Sequence, residues 1–191
     1  MIEITPEGMP SRNIGLPYSH SGKILGRLIM PITARLRAHY ALKGIKNMAS
    51  HLDIGCGDCL FLLRSPCRKR VGLDLRYDDH ITDRLDFPDE SFDNVSMLAL
   101  IEHLANPQQI IRETHRVLRP MGRLIITTPR RAAEWLIRIY STDTDSNEQH
   151  GHEAYYDKET MSQLTNGLFK PEMLHTFLFG LNQLFVYEKL T

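Results

Sequence analysis

The residues best suited to chemistry begin with Asp53-Ile54-Gly55-Cys56-Gly57-Asp58, two glycines flanked by two carboxylates. Glycine lacks a Cβ, so such a loop lets the backbone come close to a ligand. Asp74 follows Gly57 by 17 residues, where an acid can accept hydrogen bonds from both hydroxyls of a ribose. A dinucleotide loop would need a third small residue at position 60, and this chain has Leu60. Pyrophosphate also favours a loop without acids. Carboxylates at 53 and 58 therefore fit a nucleoside that carries positive charge.

Further along, Glu102-His103 offers a carboxylate beside an imidazole whose ordinary pKa lies near neutrality, as a general base requires. A structural pair capping the next turn is the equal alternative. His150, His152 and Tyr155 lie in a polar stretch that either shapes an acceptor site or is solvated surface. Cys56 and Cys59 form a C-x-x-C, but only Cys67 remains as a further thiol, too few for a zinc site, so no metal is assigned. Asp93 is read as setting the start of a strand.

Positioning these groups requires an alternation of strands and helices. Residues 1–20, with three prolines and little periodicity, are expected to be an irregular arm. Apolar residues at helical spacing follow over 23–46, with Pro31 expected to kink or split the segment. Strands are expected at 51–54, 71–75, 80–82 and from 91 to 98, with a short helix at 59–64. A helix over 107–118 begins with Pro107, and 119–122 is a turn leading to a β-branched strand at 124–128. Helices at 132–140 and 158–165 precede two strands, about 172–179 and 182–189, that pair as a hairpin. The pattern predicts an α/β fold, a Rossmann-like seven-stranded, mostly parallel sheet with an antiparallel last strand and helices on both faces. Residues 1–48 would form the arm and cap helices, and 49–191 the ligand-binding domain.

The 191 residues suit one full-sized core, and the net charge is zero, so no global field marks nucleic acid as a partner. The charge is unevenly spread: residues 1–52 carry seven basic residues against two acids. The acid-free stretch 23–46 is read as a cap over the pocket, with peripheral contact to anionic lipid as a lesser role. Three cysteines, no apolar leader and no long apolar run point to a reducing, cytoplasmic location.

Four stretches in order, LDIGCGD (52–58), VGLDL (71–75), LDFPDESFDNV (85–95) and RVLRPMGRLIITTP (116–129), resemble the class I S-adenosylmethionine-dependent methyltransferases. The resemblance runs from about residue 50 to the end. It implies S-adenosyl-L-methionine as cofactor and S-adenosyl-L-homocysteine as product. It implies that Asp53, Gly55 and Gly57 hold the methionine portion, with Cys56 in the same loop. Asp74, with Leu75 beside it, would hold the ribose, Asp83 the adenine amino group, and Leu98 would line the sulfonium pocket. ALIEHLANP is similar to segments of ubiquinone-biosynthesis O-methyltransferases and sugar-modifying relatives, although Ala99 stands where the former place a metal-site Glu. The expected acceptor is a small molecule or a lipid- or sugar-linked group, methylated at oxygen with His103 as base and Glu102 as its orienter. A non-catalytic cofactor-binding protein and an RNA or protein methyltransferase are the alternatives.

Overall fold

The computed structural model describes residues 1–5, 8, 10–11, 24–75, 84–134 and 154–191. In chain order the elements are β1 (Ile2–Ile4), α1 (Ile24–Leu42), β2 (Ser50–Ile54), α2 (Leu60–Arg64), β3 (Lys69–Leu73) and β4 (Phe92–Leu98). They continue with a 3-10 turn (Ile101–His103), α3 (Pro107–Val117), β5 (Leu118–Pro129), a second 3-10 turn (Arg131–Ala133), α4 (Lys158–Thr165), β6 (Phe169–Phe177) and β7 (Asn182–Lys189). The strands form one seven-stranded sheet in the order β1-β3-β2-β4-β5-β7-β6.

Strands β2 to β5 run parallel, and β7 runs antiparallel to both β5 and β6, as the hairpin pattern predicts. The register pairs Ile54 with Leu73 and with Met97, and Leu98 with Thr127. The carboxyl ends of four strands therefore share one edge of the sheet. The chain leaves β2 for β3 on one side and returns to β4 on the other, which opens a crevice at that edge.

Side-chain alternation divides the core into two faces. Leu124, Ile126 and Phe185 pack with Ile110 and Ile111 of α3 and Met161 and Leu164 of α4. On the opposite face Ile125, Leu184 and Val186 pack with Ala38 and Ala41 of α1 and Phe61 of α2. Small alanines let α1 lie close to the sheet. Helix α3 starts on Pro107 with Asn106 capping the Gln109 amide, and α4 starts with a reciprocal Asp157–Thr160 capping box.

Three expectations change. Residues 2–4 are not irregular: they form an edge strand antiparallel to β3, with Ile2 opposite Gly72 and both isoleucines buried. Burying each is worth about 1.5–3 kcal/mol, enough to hold a three-residue strand that has little propensity signal. Helix α1 runs on past Pro31 without interruption, because the contacts of Ala38 and Ala41 further along outweigh the one lost backbone bond. The 119–122 turn lies inside β5 as a bulge between the Phe92–Leu118 and Asn94–Arg123 pairs, with Met121 at φ 60°. The expected strand at 80–82 and most of the expected helix at 132–140 lie outside the described residues.

Arg116 on α3 ties the 85–89 segment to the sheet. It donates to the carbonyls of Leu85 (2.8 Å) and Phe87 (2.7 Å) and to the carboxylates of Glu113 and Asp89, while Glu113 accepts the Leu85 amide at 2.9 Å. Arg116→Ala strands several partly buried acceptors and is expected to cost about 2–3 kcal/mol in urea unfolding. Arg112→Ala, one turn away on the exposed side of the helix, is expected to cost less than about 0.5 kcal/mol. Equal losses for the two variants would rule out the clamp.

Candidate functional site

The crevice is lined first by the β2–α2 loop. Gly55 and Gly57 adopt φ of 73° and 53°, the left-handed region that favours glycine. A Cβ at Gly55 would stand 2.9 Å from Leu100 Cδ1, so a larger residue here would displace that side chain as well as strain the backbone. A Cβ at Gly57 would meet nothing within 4 Å, which leaves open space over the loop. The Gly57 amide donates to Asp74 Oδ2 at 2.7 Å, so β3's terminal acid meets the loop where the sequence spacing places it. The Gly55 and Cys56 amides both donate to the Leu73 carbonyl, locking the loop to β3.

The Cys56 thiol turns inward. It lies in a cluster with Ile2, Ile4, Cys59 and Leu62, and its sulfur occupies the space a Cβ at Gly72 would need. Its Sγ is 3.6 Å from that of Cys59, and the Cys59 bond together with burial pushes the Cys56 thiol well above its ordinary value. Cys56 can therefore contribute backbone, not side chain, to the loop surface. Among the described residues no group of three or more His, Cys, Asp or Glu side chains is arranged to hold a metal ion.

Asp53, the penultimate residue of β2, has 2% of its surface exposed, and Ser96 Oγ donates to its Oδ1 at 2.5 Å. Burial pushes this carboxyl up to about 7; the Ser96 bond opposes the shift and the charges of Asp74 and Asp58 add to it. Three carboxylates thus converge on one loop, and a cation is the ligand that would relieve them. Leu75 is exposed and Leu98 half-buried at the end of β4. Asp93 accepts from Ser50, Asn47 and Arg119, which anchors the start of β4 as the sequence suggests.

The turn after β4 separates its two polar residues. Glu102 is 1% exposed and His103 is exposed. Neither Glu102 oxygen completes a hydrogen bond, so the carboxylate does not orient the His103 ring through one. On a three-residue turn adjacent side chains diverge, which is why sequence neighbours fail to meet here. Burial pushes Glu102 up to about 7, opposed by its own backbone amide, by the Arg37 charge and by the Thr128 hydroxyl, which lie close without closing a hydrogen bond of full geometry. Thr127 and Thr128, buried at the end of β5, also have hydroxyls without a hydrogen-bond partner. Tyr155 and Tyr156 are half-buried, and the Tyr156 carbonyl accepts from Gln183, the β7 partner of Thr128. The structure therefore brings residues 155–156 to the carboxyl end of β5. Asp83, His150 and His152 lie outside the described residues. Sequence reading missed His51, Ser96, Thr127 and Thr128; the one available signal was polar residues within otherwise apolar strands.

A methyltransferase-domain family profile matches residues 24–167, three-quarters of the chain. The chain belongs to this methyltransferase family. It is 34% identical over 99 residues to a probable S-adenosylmethionine-dependent methyltransferase of Mycolicibacterium smegmatis, covering 42% of this chain and 38% of that relative. The chain thus spans well under half the length of the curated relative it matches. A Pyrococcus horikoshii structure superposes with a TM-score of 0.63 at 21% identity, over 91% of this chain and 95% of the other. One chain of the complex between the Haloferax volcanii Trm112 methyltransferase activator and a methyltransferase gives 0.65 at 14% identity, over 87% and 94%. The 1,6-didemethyltoxoflavin-N1-methyltransferase of Burkholderia thailandensis, bound to its substrate and S-adenosylhomocysteine, gives 0.62 at 17% identity, over 87% and 83%. At these identities the structures share the fold. No helix among the described residues is long and apolar enough to cross a membrane.

The raised carboxyls have a consequence for stability. Between about pH 4 and 7 native Glu102 and Asp53 hold protons that the unfolded chain has released, so stability falls as pH rises through that window. Glu102→Gln removes one such cost. It is expected to stabilise the ligand-free protein by about 1–3 kcal/mol at about pH 8 and by nothing measurable at about pH 4. Thermal melts of both forms across this range check it; a loss of stability that does not vary with pH would contradict the buried-charge account.

Proposed function

We propose that this protein transfers the methyl group of S-adenosylmethionine to an oxygen of a small-molecule or lipid- or sugar-linked acceptor. The observation that carries the reading is that Glu102 and His103 directly follow the segment that packs on the glycine loop. Leu100 packs against Gly55, and the turn bearing both residues begins one position later. A buried carboxylate with unpartnered oxygens and an exposed imidazole thus flank the place where donor and acceptor would meet.

S-adenosylmethionine, when bound, supplies an electrophilic methyl group on a sulfonium. The chain's contribution is positioning. Asp53 and the backbone of Gly55, Cys56 and Gly57 would receive the methionine portion, its ammonium set against the carboxylate. Asp74 would accept the ribose hydroxyls, exchanging its bond with the Gly57 amide, with Leu75 beside it and Asp83 at the adenine. Leu98 would line the sulfonium pocket. At the acceptor, Glu102 would accept a hydrogen bond from a hydroxyl or amine, a partner its buried oxygens lack. His103 would take the proton of the reacting hydroxyl from the open side of the turn. In-line transfer needs alignment more than strong acid–base chemistry, so the base contributes roughly 10²-fold or more on top of proximity. His150, His152 and Tyr155 would complete the acceptor side.

The acid-free helix α1 leaves Met30, Ile32 and Arg35 exposed, a composition that suits contact with an anionic lipid surface. Sedimentation with anionic vesicles separates a lipid-linked acceptor, which predicts binding, from a freely soluble one.

Asp74→Ala is expected to weaken S-adenosylmethionine binding roughly tenfold or more by calorimetry, the loss of charge-assisted bonds to a ribose. Cell extracts treated with labelled donor identify the acceptor, and with it in hand His103→Ala is expected to lower kcat roughly 10²-fold with donor affinity unchanged. Tight donor binding with no methyl transfer to any extract component would favour a non-catalytic role. Label appearing in RNA or protein instead would move the acceptor class.

A further inference from the structure

Behind the donor loop a line of buried polar side chains crosses the sheet. His51 of β2 is fully buried; its Nδ1 lies 2.9 Å from Ser65 Oγ and its Nε2 2.8 Å from Ser96 Oγ. Ser96 sits on β4 directly opposite Asp53 in the parallel register, and its hydroxyl reaches Asp53 Oδ1. His51 and Asp53 are two apart on β2 and so share a face. Phe61 meets the imidazole edge-on at 5.1 Å, and Ser65 lies just past the end of α2.

Proton counting gives the line a direction. Above about pH 7, where Asp53 is ionised, its carboxylate can only accept, so the single Ser96 hydroxyl proton goes to Asp53. Ser96 Oγ must then accept from His51 Nε2–H. Burial, with Arg70 adding, pushes the imidazole down to about 3, so it is neutral and carries one proton. Nδ1 is left as an acceptor for the Ser65 hydroxyl, whose oxygen in turn faces the Cys67 amide at 3.4 Å. Each group is satisfied in this single arrangement, from Ser65 through His51 and Ser96 to Asp53.

We propose that His51 and Ser96, anchored by Ser65, are positioning residues for the methyl donor: they fix the Asp53 carboxylate by one oxygen and leave the other for the donor's ammonium group. The inference rests on the assignment of Asp53 to the donor. A buried histidine that merely satisfies its neighbours would contribute to stability and nothing else. A relay requires in addition one tautomer and an effect on donor affinity in the folded protein. Glutamine at position 51 can keep an N–H directed at Ser96, whereas leucine fills the space without one.

Nitrogen-15 NMR of the ligand-free protein at about pH 8, where Asp53 is ionised, is expected to show His51 as the neutral Nε2–H tautomer. Calorimetry with S-adenosylhomocysteine is expected to show roughly tenfold weaker binding for Ser96→Ala and His51→Leu, and near-native binding for His51→Gln. An Nδ1–H tautomer, or folded Ser96→Ala binding as tightly as the native protein, overturns the proposal. Should His51→Leu fail to fold, Ser96→Ala and the tautomer still decide. Asp53→Ala separates the two levels. Native affinity in that variant removes Asp53 from the donor site altogether, while weakened affinity there with native affinity in Ser96→Ala removes only the relay.

Discussion

The carboxylate near the carboxyl end of β2 is the constraint around which the rest of the structure is arranged. Asp53 is nearly inaccessible, with Asp74 on one side and Asp58 on the other, and its environment favours the protonated form. Such an arrangement works against the stability of the ligand-free fold at neutral pH. It makes sense where the fold must receive a positive charge, and three acids around two left-handed glycines form such a place. The Ser96 hydroxyl, held by the His51 ring, is the compensation the scaffold itself supplies.

The sheet explains why these groups meet. Parallel strands β2, β3 and β4 end in register, so an acid at the tip of β3 reaches the loop after β2, and the turn after β4 lies against the same loop. Short-range contacts then hold the edges of the site. The Cys56 thiol on Gly72 fixes the back of the loop, Leu100 on Gly55 fixes its front, and the Arg116–Glu113 pair clamps the segment that follows residue 83. Strand β1 closes the outer edge by burying two isoleucines beside the same cysteines. Residues from the extreme N-terminus thus support the loop from behind.

Much of the proposed donor side was legible in the sequence because its logic is local. Two glycines, their flanking acids and an acid at the end of the next strand are constrained by backbone geometry within some twenty residues, and the absence of a third small residue at position 60 sets the loop apart from a dinucleotide fingerprint. The order of strands and helices was legible for the same reason, since hydrophobic period and capping residues such as Asn106 and Asp157 are read over a few turns. Elements that depend on distant partners were not. Ile2–Ile4 carries no strand signal until β3 lies beside it, and Pro31 looks like a helix break until the sheet packs against the helix beyond it.

The acceptor side shows the limit most clearly. The sequence by itself determined the α/β architecture, the glycine loop with its flanking acids and the presence of a Glu-His pair after the fourth strand. Only the tertiary structure decided that the two residues of that pair point apart, one buried and one exposed, because their directions follow from the turn and its packing. Only the tertiary structure joined His51 to Asp53 through Ser96, forty-three residues further along the chain. Hydrogen bonds between strands depend on register, and register is set by the whole sheet.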